Sequence, residues 1–411
     1  MENNTPLART INLPLLTLYG LGTILGAGIY VLIGKVAGQA GLLAPMAFIV
    51  AAVIAWVTAL SYSQLAAILP KSAGEAYYVD QAFNRQQLTL LVGLLIILTG
   101  IVSAATLTNG FIGYLSLFLD INRTLGIILV IVVLTTIACW GISESLIVSG
   151  LITIIEIFGI VLVIGLNTDV LSGLMFSTTE INFSDLFIPH STAALIGIFS
   201  GAFLVFYAFI GFEDMVNIVE EVKEPQKNLP IAIILAIAVS SLLYIAIALI
   251  AVVTIPISSL VESDAPLTLL IEEKTTSGTQ LLGLIGLFAI INGVLVQMIM
   301  ASRVIYGLSQ KFDRFAFVAW VNPKTQTPIF ATGIASLLIL GFALFLPIAT
   351  LAKITSFIIL IIFSLVNIAL WSLKRSTTIP ESIKVRNYPI IGTLLCIFLL
   401  LFQYVSFLSS N

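Results

Sequence analysis

The 411-residue sequence predicts an all-α polytopic membrane protein, and three observations carry that prediction. First, 59% of the residues are hydrophobic and 9% are charged, where a soluble domain is about 25% charged. Second, eleven apolar segments can be drawn, at 14–36, 42–68, 87–117, 124–142, 146–167, 193–217, 229–255, 281–309, 328–348, 351–373 and 387–409. Each is long enough to cross roughly 30 Å of hydrocarbon as a helix. Third, the segments are too evenly apolar for barrel strands, which alternate over about ten residues, so helices must satisfy the backbone from within.

Taken in order, the segments differ in what interrupts them. The first contains "GLGTILGAGIY", with Gly20, Gly22, Gly26 and Gly28, although each interior glycine weakens a helix by about 1 kcal/mol relative to alanine. Gly22 and Gly26 also fit GxxxG spacing, so close helix packing is the competing explanation. "MENNTPLART" ahead of it has no basic n-region, and the first span is expected to act as its own insertion signal. "SAGEAYYV", between the second and third spans, reads as a solvated connector.

In the third span Thr99, Ser103 and Thr106 fall at helical spacing. They form either a mildly polar ligand face or a row of hydroxyls bonded back to their own helix. The fifth carries Glu156 in "GLITIIEIFGIVLVIGL". A mid-membrane carboxylate costs about 2.5–3.5 kcal/mol on insertion scales, so Glu156 should be paired, neutral or in a watery cavity. The sixth has Gly211 after an aromatic run, then Glu213 and Asp214. "EEVKEPQKNLP" after it is a charged connector. Asn292 and Gln297 are the weaker polar candidates of the eighth span, and Cys139 and Cys396 read as reduced small hydrophobes inside spans.

Placing the N-terminus in the cytoplasm puts 13 of the 17 Lys and Arg residues on that side, among them Arg9, Arg85, Arg303 and Lys374, and satisfies the positive-inside rule. The expectation is an integral protein of the plasma or bacterial inner membrane. No loop has room for a soluble catalytic domain, and no Walker-type loop points to an ATP-driven pump. The single His190 and the absence of a helical His/Cys cluster argue against a metalloenzyme, so no metal or cofactor is expected and no nucleic-acid partner.

The breaks in the first and sixth spans lie five helices apart, which points to a secondary transporter built from two inverted repeats. The repeats would cover about 14–167 and 193–373, with 387–409 as an extra helix in a single transporter domain. If the first span unwinds at Gly26-Ala27-Gly28, a fresh helix N-terminus with unsatisfied N–H groups suits a carboxylate. If the sixth unwinds between Tyr207 and Gly211, free carbonyls and a negative dipole end suit an ammonium. Together they describe a receptor for the zwitterion shared by all α-amino acids.

"GLGTILGAGIYV" with "AGLLAP", "SYSQLAAILPKSAGEAYYV", "FYAFIGFEDMVNIVEEVKEPQKNLPIAI", "SRVIYGLS" and "KTQTPIFA" resemble, in order, the amino acid, polyamine and organocation (APC) transporter family, whose broken-helix 5+5 inverted-repeat fold is known from LeuT. The resemblance implies that Gly26, Ala27 and Gly28, with Ile29 just beyond, form the carboxylate-binding turn. It implies that Ile24, Tyr207 and Ile210 supply amine-binding carbonyls, that Tyr207 gates the substrate, and that Glu213 serves inner gating or proton handling. It also suggests that the two connectors tie the inner gate. Two positions depart from the family pattern: Thr99 stands where cationic amino acid carriers often have Glu, and Glu156 where proton-coupled relatives have Lys.

The expected function is secondary active transport of a neutral or moderately polar amino acid, as proton symport or exchange, with Na+ coupling left open. A polyamine or organic cation carrier and a transport-inactive amino acid sensor are the alternatives.

Overall fold

The computed structural model describes residues 9–26, 28–70, 74–140, 146–175, 181–310, 317–375 and 387–409. Among the described residues the regular secondary structure is all helical, apart from one isolated pairing between Ile11 and Val222. The helices are α1 Leu13–Leu25, α2 Gly28–Ala40, α3 Ala44–Ile68, α4 Gly74–Phe83, α5 Gln86–Leu115, α6 Arg123–Trp140, α7 Leu146–Leu166, α8 Thr168–Met175 and α9 Phe183–Phe187. They continue with α10 Thr192–Val205, α11 Pro225–Thr254, α12 Ile257–Glu262, α13 Pro266–Glu272, α14 Thr276–Ser309, α15 Ile329–Phe345, α16 Ile348–Arg375 and α17 Tyr388–Ser409. Two 3-10 segments, Phe206–Phe209 and Phe212–Glu221, separate α10 from α11.

Local chemistry sets several starts. The side chain of Asn12 accepts from the Leu15 N–H at 3.1 Å, Ser191 caps α10 through the Ala194 N–H, and Thr275 caps α14 through the Gly278 N–H. Each cap satisfies a donor that the first helical turn leaves open. Pro225 opens α11, where its missing N–H costs nothing.

Among the described residues, eight helices are long and apolar enough to cross a membrane, or nine if the bent pair Gly150–Leu166 and Thr168–Leu174 is one span. The chain is thus an integral membrane protein, with fewer qualifying spans than the eleven expected. The first two expected spans fall in one 56-residue run, Leu13–Ile68. At 1.5 Å per residue such a run measures about 84 Å, far more than one crossing, and it is interrupted between α1 and α2 and again at Gly41–Leu43. The expected span at 328–348 forms the 17-residue α15, just short of a full crossing. The outer loops expected at 168–192 and 256–280 carry α8, α9, α12 and α13.

The core lies where α1, α2 and α10 are enclosed by the other helices. α11 packs along α3, α14 along α5 and α15 along α6. Gly100 lets α5 and α14 approach, since a β-carbon there would stand 3.0 Å from Met300 and 3.2 Å from the Gln297 carbonyl. α6 and α17 are peripheral: Leu125, Val132, Val133, Leu394 and Leu401 are all more than half exposed, as lipid-facing side chains are.

"SAGEAYYV" is no solvated connector. From Gly74 onward it forms α4, which packs on α16 and α5 and buries Glu75, Tyr78 and Val79. Apolar and aromatic residues at helical spacing gave it a face to bury. The other connector is tied down too, because Ile11 donates to the Glu221 carbonyl at 3.0 Å and Lys223 to the Ile11 carbonyl at 2.8 Å.

Candidate functional site

The first break separates α1, ending at Leu25, from α2, starting at Gly28. Gly26 keeps helical angles and donates its N–H to the Gly22 carbonyl at 3.1 Å, so that donor is spent within the helix. Ala27 lies outside the described residues. Gly28 is buried and pressed against the sixth span: a β-carbon on it would stand 2.6 Å from Ala208 Cβ.

The second break is sharper and lies slightly later than the expected unwinding. α10 tightens into the 3-10 turn Phe206–Phe209, Ile210 is extended, and Gly211 adopts φ 129° before the chain coils again from Phe212. Its geometry is held from three sides. Thr23 Oγ1 donates to the Gly211 carbonyl at 3.0 Å, the Asp214 N–H donates to it at 3.1 Å, and the Gly211 N–H donates to Glu213 Oε2 at 2.8 Å. The two breaks therefore touch through backbone, with Gly28 against Ala208 and Gly211 against Thr23.

A small pocket of about 40 Å³ lies at this junction, walled by Ile24, Gly26, Gly28, Ser103, Tyr207 and Ile210 among others. Tyr207 is buried with its hydroxyl 3.1 Å from Ser103 Oγ. Thr99 is not in this wall: its hydroxyl donates to the Leu95 carbonyl at 2.9 Å, and the residue faces a second, larger cavity. Thr106 likewise bonds back to Val102 at 2.8 Å. Of the three hydroxyls expected on one face, only Ser103 lines the pocket. Ile29 is buried behind it, beyond the lining residues.

The larger cavity, about 840 Å³, adjoins the pocket and is bordered by Glu75, Glu213, Asp214, Asn217 and Arg303. Glu75 and Arg303 lie on the side that the Lys and Arg bias is expected to make cytoplasmic. On the opposite side α2 is buried from Gly28 to Gly34, and the Tyr114 hydroxyl donates to the Tyr30 carbonyl at 3.0 Å.

Glu156 is 1% exposed, and neither carboxyl oxygen has a hydrogen-bond partner among the described residues. It sits behind the first break rather than in the pocket wall. Its backbone carbonyl accepts from Tyr30 at 3.3 Å, and Thr153, one turn before it, meets Gly22.

Tyr244 of α11 escaped the sequence reading. Its hydroxyl lies 2.6 Å from the Ile24 carbonyl and 3.1 Å from the Ala208 carbonyl, so it bridges both breaks and occupies one lone pair of the expected amine-binding Ile24 oxygen. The available signal was the one phenol in a span otherwise made of aliphatic residues and a few hydroxyls.

Glu75, outside the spans on α4, is buried with Oε1 accepting from Tyr62 at 3.2 Å. Burial raises its carboxyl above the ordinary 4.5, against the lowering effect of hydrogen bonds from the backbone and Tyr62. A raised folded-state value means the unfolded chain releases its proton first, so Glu75 costs stability progressively as pH rises past about 4.5. Glu75→Gln is expected to raise the melting temperature at pH 7 and leave it unchanged at pH 4, measured by thermal denaturation in detergent. An equal shift at both pH values would contradict this.

A helical membrane protein whose pocket lies where two helix breaks meet, beside a wider cavity, is built as a transporter. Comparison with known sequences defines it further. The chain belongs to the amino acid permease family, whose profile matches residues 11–411, and is a transporter rather than an enzyme. It is 28% identical to the branched-chain amino acid permease BcaP of Bacillus subtilis over 94% of this chain and 86% of that protein. It is also 28% identical to the vacuolar cationic amino acid transporter 4 of Arabidopsis thaliana, over 91% of this chain and 65% of that longer protein. With the methylthioribose transporter of B. subtilis it shares 28% identity over 97% of this chain and 88% of the relative.

Proposed function

We propose that the chain is a secondary active amino acid transporter working by alternating access in a plasma or bacterial inner membrane. The observation that carries this reading is the meeting of two helix breaks at one pocket that adjoins a larger cavity. The first N–H groups of α2, from Gly28, have no partner inside that helix and suit a carboxylate. Of the carbonyls between Tyr207 and Gly211, that of Gly211 already accepts two hydrogen bonds and those of Tyr207 and Ala208 one each, so the Ile210 carbonyl and the remaining lone pair of Tyr207 are the acceptors assigned to an ammonium. A ligand carrying both groups engages both breaks at once, and substrate binding then bears on how the two halves are held together.

Two inverted repeats, 14–167 and 193–373, supply the moving parts, with 387–409 as an addition. Their support is that helices at matching positions pack in pairs: α3 with α11, α5 with α14 and α6 with α15. Glu156 and Glu213 serve coupling and gating. Uncompensated ionisation of a buried Glu156 is costly, so its carboxyl needs a proton or a cation, which favours H+ as the driving ion. The relatives include carriers named for branched-chain and cationic amino acids and for methylthioribose, so ancestry leaves the side chain open. The zwitterion-binding poles favour the amino acids.

Proteoliposomes containing the purified protein are expected to accumulate an amino acid under an imposed pH gradient, or to exchange it. No uptake, exchange or thermal stabilisation with any common amino acid would overturn the proposal.

A further inference from the structure

The pocket has a neck and a closed end. Val296 and Gln297 of α14 border both the pocket and the larger cavity, whereas Ser103 and Leu107 of α5 and Asn292 and Gly293 of α14 line the pocket alone. The closed end therefore lies between α5 and α14, on the wall that the two breaks do not form. An amino acid held by its α-groups on the backbone of the breaks turns its side chain toward that wall.

What the wall offers follows from its hydrogen bonds. Thr99, Thr106 and Thr108 each donate to the carbonyl four residues back on α5, at 2.9, 2.8 and 2.8 Å. Ser103 does not, and its hydroxyl reaches across to Tyr207 at 3.1 Å. The phenol has one proton, which it donates to the Ser103 carbonyl at 3.3 Å, so the serine donates to the phenol and keeps its own oxygen as an acceptor. The carboxamide of Asn292 has no hydrogen-bond partner among the described residues and brings N–H donors to the same wall. Of the other polar side chains around the pocket, Thr23 donates to the Gly20 and Gly211 carbonyls, Tyr19 and Asp214 already have partners, and Gln297 stands at the neck.

We propose that Ser103 and Asn292 form a side-chain subsite that reads a hydroxyl, so that small hydroxylated amino acids such as threonine and serine are preferred over their apolar isosteres. This rests on the amino acid transporter reading. The substrate hydroxyl donates to Ser103 Oγ and accepts from the Asn292 amide, while a methyl beside it packs on Leu107, which is 4% exposed. A methyl in place of the hydroxyl strips water from both polar groups without replacing its hydrogen bonds. Among the described residues no charged side chain lines the closed end to meet an ammonium or a guanidinium, and a pocket of about 40 Å³ favours a short side chain.

The test uses threonine and valine, which differ by a hydroxyl against a methyl, as ligands in thermal-shift titrations of the purified full chain. Threonine is expected to bind about tenfold or more tightly than valine, since a site built to hydrogen-bond a substrate hydroxyl rejects the analogue that lacks it. Asn292→Leu, which keeps the size of the side chain, is expected to reduce that ratio about tenfold. Ser103→Ala is expected to reduce it about threefold, because the Asn292 amide still meets the hydroxyl. A merely structural loss weakens both ligands alike and leaves the ratio where it was. The comparison in the unmodified protein stands whether or not a variant folds. Valine binding as tightly as threonine, or a ratio unmoved in the folded variants, overturns the subsite and leaves the transporter reading intact. Binding of some other common amino acid by a protein that takes neither of the two does the same. Failure of every common amino acid to bind overturns the transporter reading itself.

Discussion

Replacing Gly211 with alanine is expected to abolish ligand binding and transport and to lower the melting temperature. Two independent costs act at this residue. Its φ of 129° is a conformation that residues with a β-carbon adopt at a cost of about 1–3 kcal/mol. A β-carbon would also stand 2.5 Å from the carbonyl carbon and oxygen of Thr23 and 2.9 Å from the Ile24 nitrogen. These neighbours are backbone and cannot swing aside, so overpacking adds about 1–3 kcal/mol more. The strain is relieved only by moving the end of α1 away from the sixth span, which opens the junction that walls the pocket. Gly333→Ala makes the control: a β-carbon there, in the second turn of α15, meets nothing within 4 Å, and stability should hold or rise by about 0.4–1 kcal/mol. Melting curves and uptake by the two variants decide the matter. A Gly211→Ala protein that melts and transports as the parent does would show that this junction is not held as described.

That the sixth span breaks was legible in the sequence because glycine and paired acids are costly in apolar helices, and costly residues declare themselves; in the first span Gly26 and Gly28 are helical and Ala27 lies outside the described residues. The location of the second break was less so. Tyr207 reads as unwound, yet it lies in a 3-10 turn, and the change of direction falls at Ile210 and Gly211. Composition and order do not distinguish a tightened turn from an open one. The third-span hydroxyls illustrate a different limit. Thr99, Ser103 and Thr106 share a helical face, but the axis of α5 past the pocket decides which of them reaches it, and only Ser103 does.

α4 and Tyr244 were missed for a common reason. Each acts through a partner remote in sequence: α4 through α16 and the inner end of the sixth span, where Gly74 meets Asn217, Tyr244 through carbonyls of Ile24 and Ala208. Backbone acceptors leave no mark in a sequence, so a phenol aimed at them looks like any other aromatic. Glu156 is the reverse case, plain in the sequence, with a carboxyl that has no hydrogen-bond partner among the described residues.

That lone carboxyl sets up the second large effect. Glu156→Leu is expected to make the protein more stable and, at the same time, to abolish accumulation driven by a pH gradient. Removing a buried polar group whose oxygens are both unpartnered among the described residues relieves about 1–3 kcal/mol of desolvation cost. The substitution exchanges a polar end for an apolar one of similar size, beside Tyr30 and one turn from Thr153 where α7 packs on α1. The expected loss of accumulation rests on the coupling role proposed for Glu156. With leucine in place no proton can be carried at this point, so concentrative uptake should fall by more than about tenfold while exchange of substrate down its own gradient persists. Glu156→Gln, which keeps the shape and cannot ionise, should match the leucine variant in transport but gain less stability, because it leaves polar atoms buried. Parallel melting curves and flux with and without a pH gradient separate the two effects. Full gradient-driven accumulation by either variant would take Glu156 out of the coupling step, and a drop in stability on substitution by leucine would mean that its carboxyl has a partner in the folded protein.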